Sequence, residues 1–111
     1  MINGFEETKP LTTTEFSMLP LFVKGLSTKI GEANAITNDQ MIKALAAKSF
    51  YLTPARVRKI INHIRVKKLL KNLVATSNGY YIENDTEKLN TYIESLRQRA
   101  DAILAVANSY K

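Results

Sequence analysis

Residues 53–71, TPARVRKIINHIRVKKLLK, form the best-defined helix of this 111-residue chain and carry its most lopsided charge. Thr53 followed by Pro54 is a helix start: a hydroxyl caps an orphan N–H, and proline at the first helical position loses no hydrogen bond. Leu52 and Val57 occupy the two positions of a hydrophobic staple. Val57, Ile60, Ile61 and Ile64 recur at steps of three and four, which predicts one buried stripe. Ala55, Lys59 and Asn62 lie roughly opposite, flanked by Arg56, Arg58 and His63. No carboxylate occurs between Asp39 and Glu83, while nine basic residues do: Lys43, Lys48, Arg56, Arg58, Lys59, Arg65, Lys67, Lys68 and Lys71.

Surface helices gain stability from mixed charge, so a helix with cations alone has another use for them. The chain's net charge is +6. Residues 40–82 hold +9 of it and leave −3 for the rest, an asymmetry that points to a polyanion. The length suits one domain with one modest core. No apolar run reaches membrane-spanning length and the N-terminus has no signal-peptide pattern, so a cytoplasmic location is expected. With no cysteine there is neither a disulfide nor a thiolate metal site.

Residues 1–10, MINGFEETKP, lack periodicity and are expected to form a mobile arm before a domain of residues 11–85. Thr12 with Glu15 makes a capping box, and Leu11 with Phe16 a staple. Phe16, Leu19, Val23, Leu26 and Ile30 then predict a helical stripe, kinked at Pro20 and stopped at Gly31. Thr37 with Gln40, and Ile36 with Met41, repeat the start signal for a second helix running to about Lys48, with Met41, Ile42 and Leu45 buried. Ile36 itself is placed to pair as a short strand. A tight turn leads into the basic helix, although it lacks the usual glycine. After Lys71 the period drops to two. Leu73–Thr76 and residues 80–82 read as strands around Ser77-Asn78-Gly79, a hairpin signal.

Helix, turn, basic helix and hairpin occur in the order of the winged helix-turn-helix DNA-binding proteins, which the chain resembles over residues 12–85. The segments Arg-Val-Arg-Lys-Ile-Ile-Asn and Ala-Thr-Ser-Asn-Gly-Tyr-Tyr are also similar to parts of small winged-helix proteins of phages and mobile elements. The resemblance implies a mainly α fold with a small β-hairpin (α+β), and double-stranded DNA as partner. It implies base readout by Arg56, Lys59, Asn62 and His63, with Arg58 either reading or touching phosphate. Thr53 would meet phosphate at the helix start. Lys67, Lys68 and Lys71 would hold the backbone, and Ser77 and Asn78 at the wing tip would at most touch it.

Residues 86–111 are expected to form a last helix, with Asn84, Asp85 and Thr86 supplying its cap and Glu87 available for a box. The apolar steps 89–93–96–100–103–107 alternate four and three, as in a coiled-coil seam. This helix is expected to pack back on helix one, to pair with a second copy through its distal half (Leu96, Ala100, Ile103, Leu104 and Ala107), or to do both with different halves. His63 is the single histidine and has no cluster of partners, so neither a metal site nor a catalytic dyad is expected. Tyr80 and Tyr81 are expected to face opposite ways, one toward the core. No phosphate loop, nucleophile elbow or carboxylate pair appears, so neither enzyme chemistry nor a cofactor is expected. The sequence therefore reads as a DNA-binding regulator or replication accessory factor of phage or bacterial type. Two rivals stand beside it: a winged-helix module for protein assembly, and an RNA or single-strand binder, whose stacking aromatics are sparse here.

Overall fold

The structure is a computed structural model that describes residues 9–110. The expected arm of residues 1–10 lies outside the described residues except for Lys9 and Pro10. Four helices and one hairpin follow in order: α1 (Thr13–Leu26), α2 (Asn38–Ala46), α3 (Pro54–Val66), β1 (Leu73–Thr76), β2 (Gly79–Ile82) and α4 (Thr86–Asn108), with a 3₁₀ turn at Glu32–Asn34. The architecture is mainly helical with a small antiparallel β element, as the sequence implied.

The helix starts are the ones written in the sequence. Thr12 and Thr37 each accept from the N3 backbone, while Glu15 and Gln40 reach back to complete the two capping boxes. Thr53 caps α3 with Pro54 in the first turn. Asp85 caps α4, but the third residue inside that helix is Lys88, so Glu87 completes no box. The α2 and α3 ends share one device. Phe50 N–H bonds to the Leu45 carbonyl and Ser49 N–H to Ala46; likewise Leu69 bonds to Ile64 and Lys68 to Arg65. These paired bonds are Schellman motifs, and Ser49 (φ 67°) and Lys68 (φ 56°) hold the left-handed position that glycine usually fills. The turn without glycine is thus made by Ser49.

Helix α1 corrects its expected stripe. The buried residues are Glu15, Met18, Phe22 and Leu26, whereas Phe16 and Ile30 are half exposed. Nearly every turn of α1 carries apolar residues on several sides, so periodicity alone does not select a face. A charged core position, Glu15, conceals the true one. The helix remains one element across Pro20 and ends at Leu26, well before Gly31. Gly31, with φ 84°, instead opens the 3₁₀ turn.

One core gathers Met18, Phe22 and Leu26 of α1, Met41 and Leu45 of α2, and Val57, Ile60, Ile61 and Ile64 of α3. The hairpin closes it with Leu73 and Tyr80. In the register Leu73 faces Ile82, Val74 faces Tyr81 and Ala75 faces Tyr80. Each strand alternates faces, so Tyr80 looks into the core and Val74 with Tyr81 looks the other way. Both tyrosines are nonetheless buried, because the start of α4 covers the second face beside Val74, Tyr81 and Tyr92. The two tyrosines face opposite ways, as expected, and the second ring covers its face of the hairpin.

Neither edge of the hairpin is left bare. Ile36 exchanges backbone bonds with Tyr80, and Ile82 bonds to Lys29 and Gly31, so the segment before α2 runs along β2 as bridges. Ile36 pairs as the sequence suggested. On the β1 side the Tyr92 hydroxyl accepts from Ala75 N–H at 3.1 Å and donates to the Ala75 carbonyl at 3.2 Å. An open strand edge invites pairing with other chains, and here one side chain occupies it at Ala75. Gly79 has φ 118°, and a Cβ there would come within 2.5 Å of the Ile36 carbonyl oxygen. The Asn-Gly signal therefore records a close backbone approach, not a primed turn: neither Ser77 nor Asn78 has positive φ.

Candidate nucleic-acid interface

Helix α3 presents three different sides. Val57, Ile60, Ile61 and Ile64 anchor it to the core, and Ala55, placed opposite them by the sequence pattern, is buried as well. The flank toward α1 is occupied by Arg56 and His63. The remaining surface bears Arg58, Lys59 and Asn62, of which Arg58 and Asn62 are exposed and Lys59 is half-buried.

Arg56 is the main correction. Its side chain is 11% exposed and pairs with Glu15, which is 5% exposed. Its Nε donates to Glu15 Oε2 at 2.8 Å, one terminal nitrogen reaches Oε1, and the guanidinium also donates to the carbonyls of Lys9 and Pro10. A planar fork suits this bidentate geometry. With its donors committed, Arg56 cannot reach a base edge, so it leaves the base-reading set. Glu15 also accepts from Thr12 N–H at 2.8 Å, so one carboxylate caps α1 and bolts α3 to it. The Arg56 hydrogen bond holds the Glu15 carboxyl below its ordinary value, with the Thr12 N–H adding to it and burial opposing.

His63 is half-buried, its ring edge-on to Phe16 at 5.5 Å and 88°. It packs one side of its ring against α1. The Thr53 hydroxyl oxygen is spent on its cap, accepting from Arg56 N–H at 3.3 Å. Arg65 donates to the Tyr92 hydroxyl at 2.7 Å, with its guanidinium 5.9 Å from that ring's centroid. The later cations Lys67, Lys68 and Lys71 are all exposed. Lys68, at the left-handed position, turns the chain so that the cationic run continues past the end of α3.

The hairpin tip offers no cation. Asn78 donates its side-chain amide to Glu32 at 2.8 Å and its N–H to the Thr76 hydroxyl at 3.2 Å. A carboxylate beside the tip repels phosphate, and Ser77 there is exposed. Burial pushes the Tyr81 phenol above its usual value, with Glu32 and Glu83 adding negative field on the same side.

Three further exposed residues lie in or just after α2 that the motif did not single out: Lys43 on α2, Lys48 in the turn that follows it, and Tyr51 before α3, which is 78% exposed. The signal for the lysines was present in the acid-free interval itself. Tyr51 had none, since an aromatic residue beside a helix start reads as core. Among the described residues no three His, Cys, Asp or Glu side chains come together as a metal site, and no helix is long and apolar enough to cross a membrane. The chain matches no family model, and comparison with curated proteins and with solved structures found no similar chain.

Proposed function

We propose that this chain is a winged helix-turn-helix protein that binds double-stranded DNA, serving as a regulator or replication accessory factor. The observation that carries this reading is the acid-free interval of residues 40–82, in which Lys43, Lys48, Arg58, Lys67, Lys68 and Lys71 are exposed. Arg58, Lys67, Lys68 and Lys71 grip phosphates, while Asn62 and Lys59 face base edges in the major groove. With Arg56 turned inward, His63 half-buried against α1 and no cation on the hairpin tip, backbone contacts outweigh base contacts. Affinity therefore exceeds selectivity.

The test is duplex binding by fluorescence anisotropy across a salt series. Four to five neutralised phosphates give a slope of log K against log salt of about −4. Lys67→Ala with Lys68→Ala weakens every duplex alike and flattens that slope by about 2. Asn62→Ala affects only preferred sites, by ~1–3 kcal/mol. A salt-independent signal, or no binding at low salt, replaces this reading with a protein-assembly module.

A further inference from the structure

Among the described residues, helix α4 has a partner for only half its length. Leu89, Tyr92 and Leu96 are half-buried against the end of α3 and β1, whereas every residue from 97 to 110 is exposed. Ile103, Leu104, Val106 and Tyr110 are 68, 57, 58 and 84% exposed. The projection is visible in the molecule's size: the radius of gyration is 15.2 Å, against about 13 Å for a compact chain of this length. Helices this short and unsupported are marginal in water, because packing of the apolar face supplies most of their stability. Near the base of α4 the apolar surface continues through Ile93 onto Val66 of α3, which is 66% exposed.

We propose that the projecting half of α4 pairs with the same helix of a second copy, antiparallel, about a two-fold axis level with Asp101 and Ala102. The seam is Leu96, Ala100, Ile103 and Ala107, alternating large and small. In a parallel pair in register each layer meets itself, so Ala100 faces Ala100 across a gap and Ile103 crowds Ile103. In the antiparallel pair Leu96 meets Ala107 and Ala100 meets Ile103. Every layer then holds one large and one small side chain, the condition for even packing. Asp101 lies nearly level with its copy in either orientation, so of Asp101 and Arg97 it is Arg97 that distinguishes the two orders. Arg97 of one copy stands nine residues along the axis from Arg97 of the other, about 13 Å, instead of level with it. The arrangement also brings Tyr110 of one copy level with Ile93 of the other, covering the apolar surface that runs on to Val66. Such a contact is isologous, so it closes at two copies.

This inference is independent of DNA binding, because it is tested without nucleic acid. Light scattering at rising concentration should show the mass moving from 12.5 kDa to twice that value. Ile103→Glu with Leu104→Glu should hold it at 12.5 kDa while the thermal melt of the core persists, since neither residue is buried in its own domain. Ala107→Arg gives a second, smaller disruption of the same seam should the first variant fold poorly. The chain lacks cysteine, so orientation can be read directly. Leu96→Cys protein is mixed with a tagged Ala107→Cys protein and oxidised. Antiparallel pairing gives the mixed disulfide, because residues 96 and 96 of the two copies lie about 16 Å apart along the axis. A monomer at every concentration, a dimer indifferent to both seam variants, or a majority of same-residue disulfides overturns the proposal.

Discussion

Helices α3 and α4 are both amphipathic and both begin with a well-formed cap, yet they end up in opposite situations. Six of the thirteen residues of α3 are buried; none of the 23 residues of α4 is. The difference lies in what each meets. Helix α3 is clamped between α1, α2 and the hairpin, with a buried ion pair fastening one flank. Helix α4 touches the domain with one half and is held there by the Tyr92 hydroxyl and a shallow apolar groove. An apolar stripe at helical spacing thus says that a face wants cover, and nothing about whether the same chain supplies it.

The comparison breaks most readily at Arg56. Arg56→Ala leaves Glu15 buried without its partner, which should cost about 3–5 kcal/mol in denaturant unfolding. Replacing the pair together, Glu15→Leu with Arg56→Met, should recover most of that loss, because two matched apolar groups bear no desolvation penalty. The same pair sets an acid limit. The Glu15 carboxyl is lowered in the folded state from an ordinary value of 4.5. Its stabilisation is therefore complete above the unfolded value and disappears as pH falls through the folded one. Melting temperatures measured from pH 7 downward should drop on the acid side, and Glu15→Gln should flatten that drop. A variant as acid-sensitive as the parent would show that other carboxylates control it.

Tyr92→Phe probes the attachment of α4. It removes a hydroxyl that serves both backbone groups of Ala75 and the Arg65 guanidinium, so about 1–2 kcal/mol should be lost. Hydrogen exchange should quicken first at Ala75 on the β1 edge, while α3 amides stay protected. Smallest is Ile103→Ala, which in the monomer should change stability by no more than ~0.5 kcal/mol, since its side chain is mostly exposed. The same change at Ile60, fully buried, should cost about 2–5 kcal/mol. Equal costs at the two positions, measured at dilution where only monomer exists, would mean that α4 is not free in its own domain.

Local chemistry was legible residue by residue. Both capping boxes, the Thr53-Pro54 start, the α3 core stripe and the strand pair around Ser77-Asn78 all follow from contacts within four residues or from a two-residue alternation, which the sequence order itself displays. Neighbours distant in sequence were not. The role of Arg56 depends on Glu15, 41 positions earlier, and that of Asn78 on Glu32, 46 positions earlier. A base-reading arginine and a buried structural one are the same letter in the same helix.

By itself the sequence determined where the helices start, that the fold is mainly helical with one hairpin, and that its middle third carries the positive charge. Those outcomes rest on capping, periodicity and charge counting, which are properties of neighbouring residues. The tertiary structure alone decided which face of α1 is buried, which cations of α3 remain outside, and that α4 covers the hairpin while its far half projects. Each of these was settled by a desolvation balance among groups far apart in the chain. Glu15 enters the core because Arg56 is there to meet it, and Ile103 remains outside because none of the described residues of its own domain covers it.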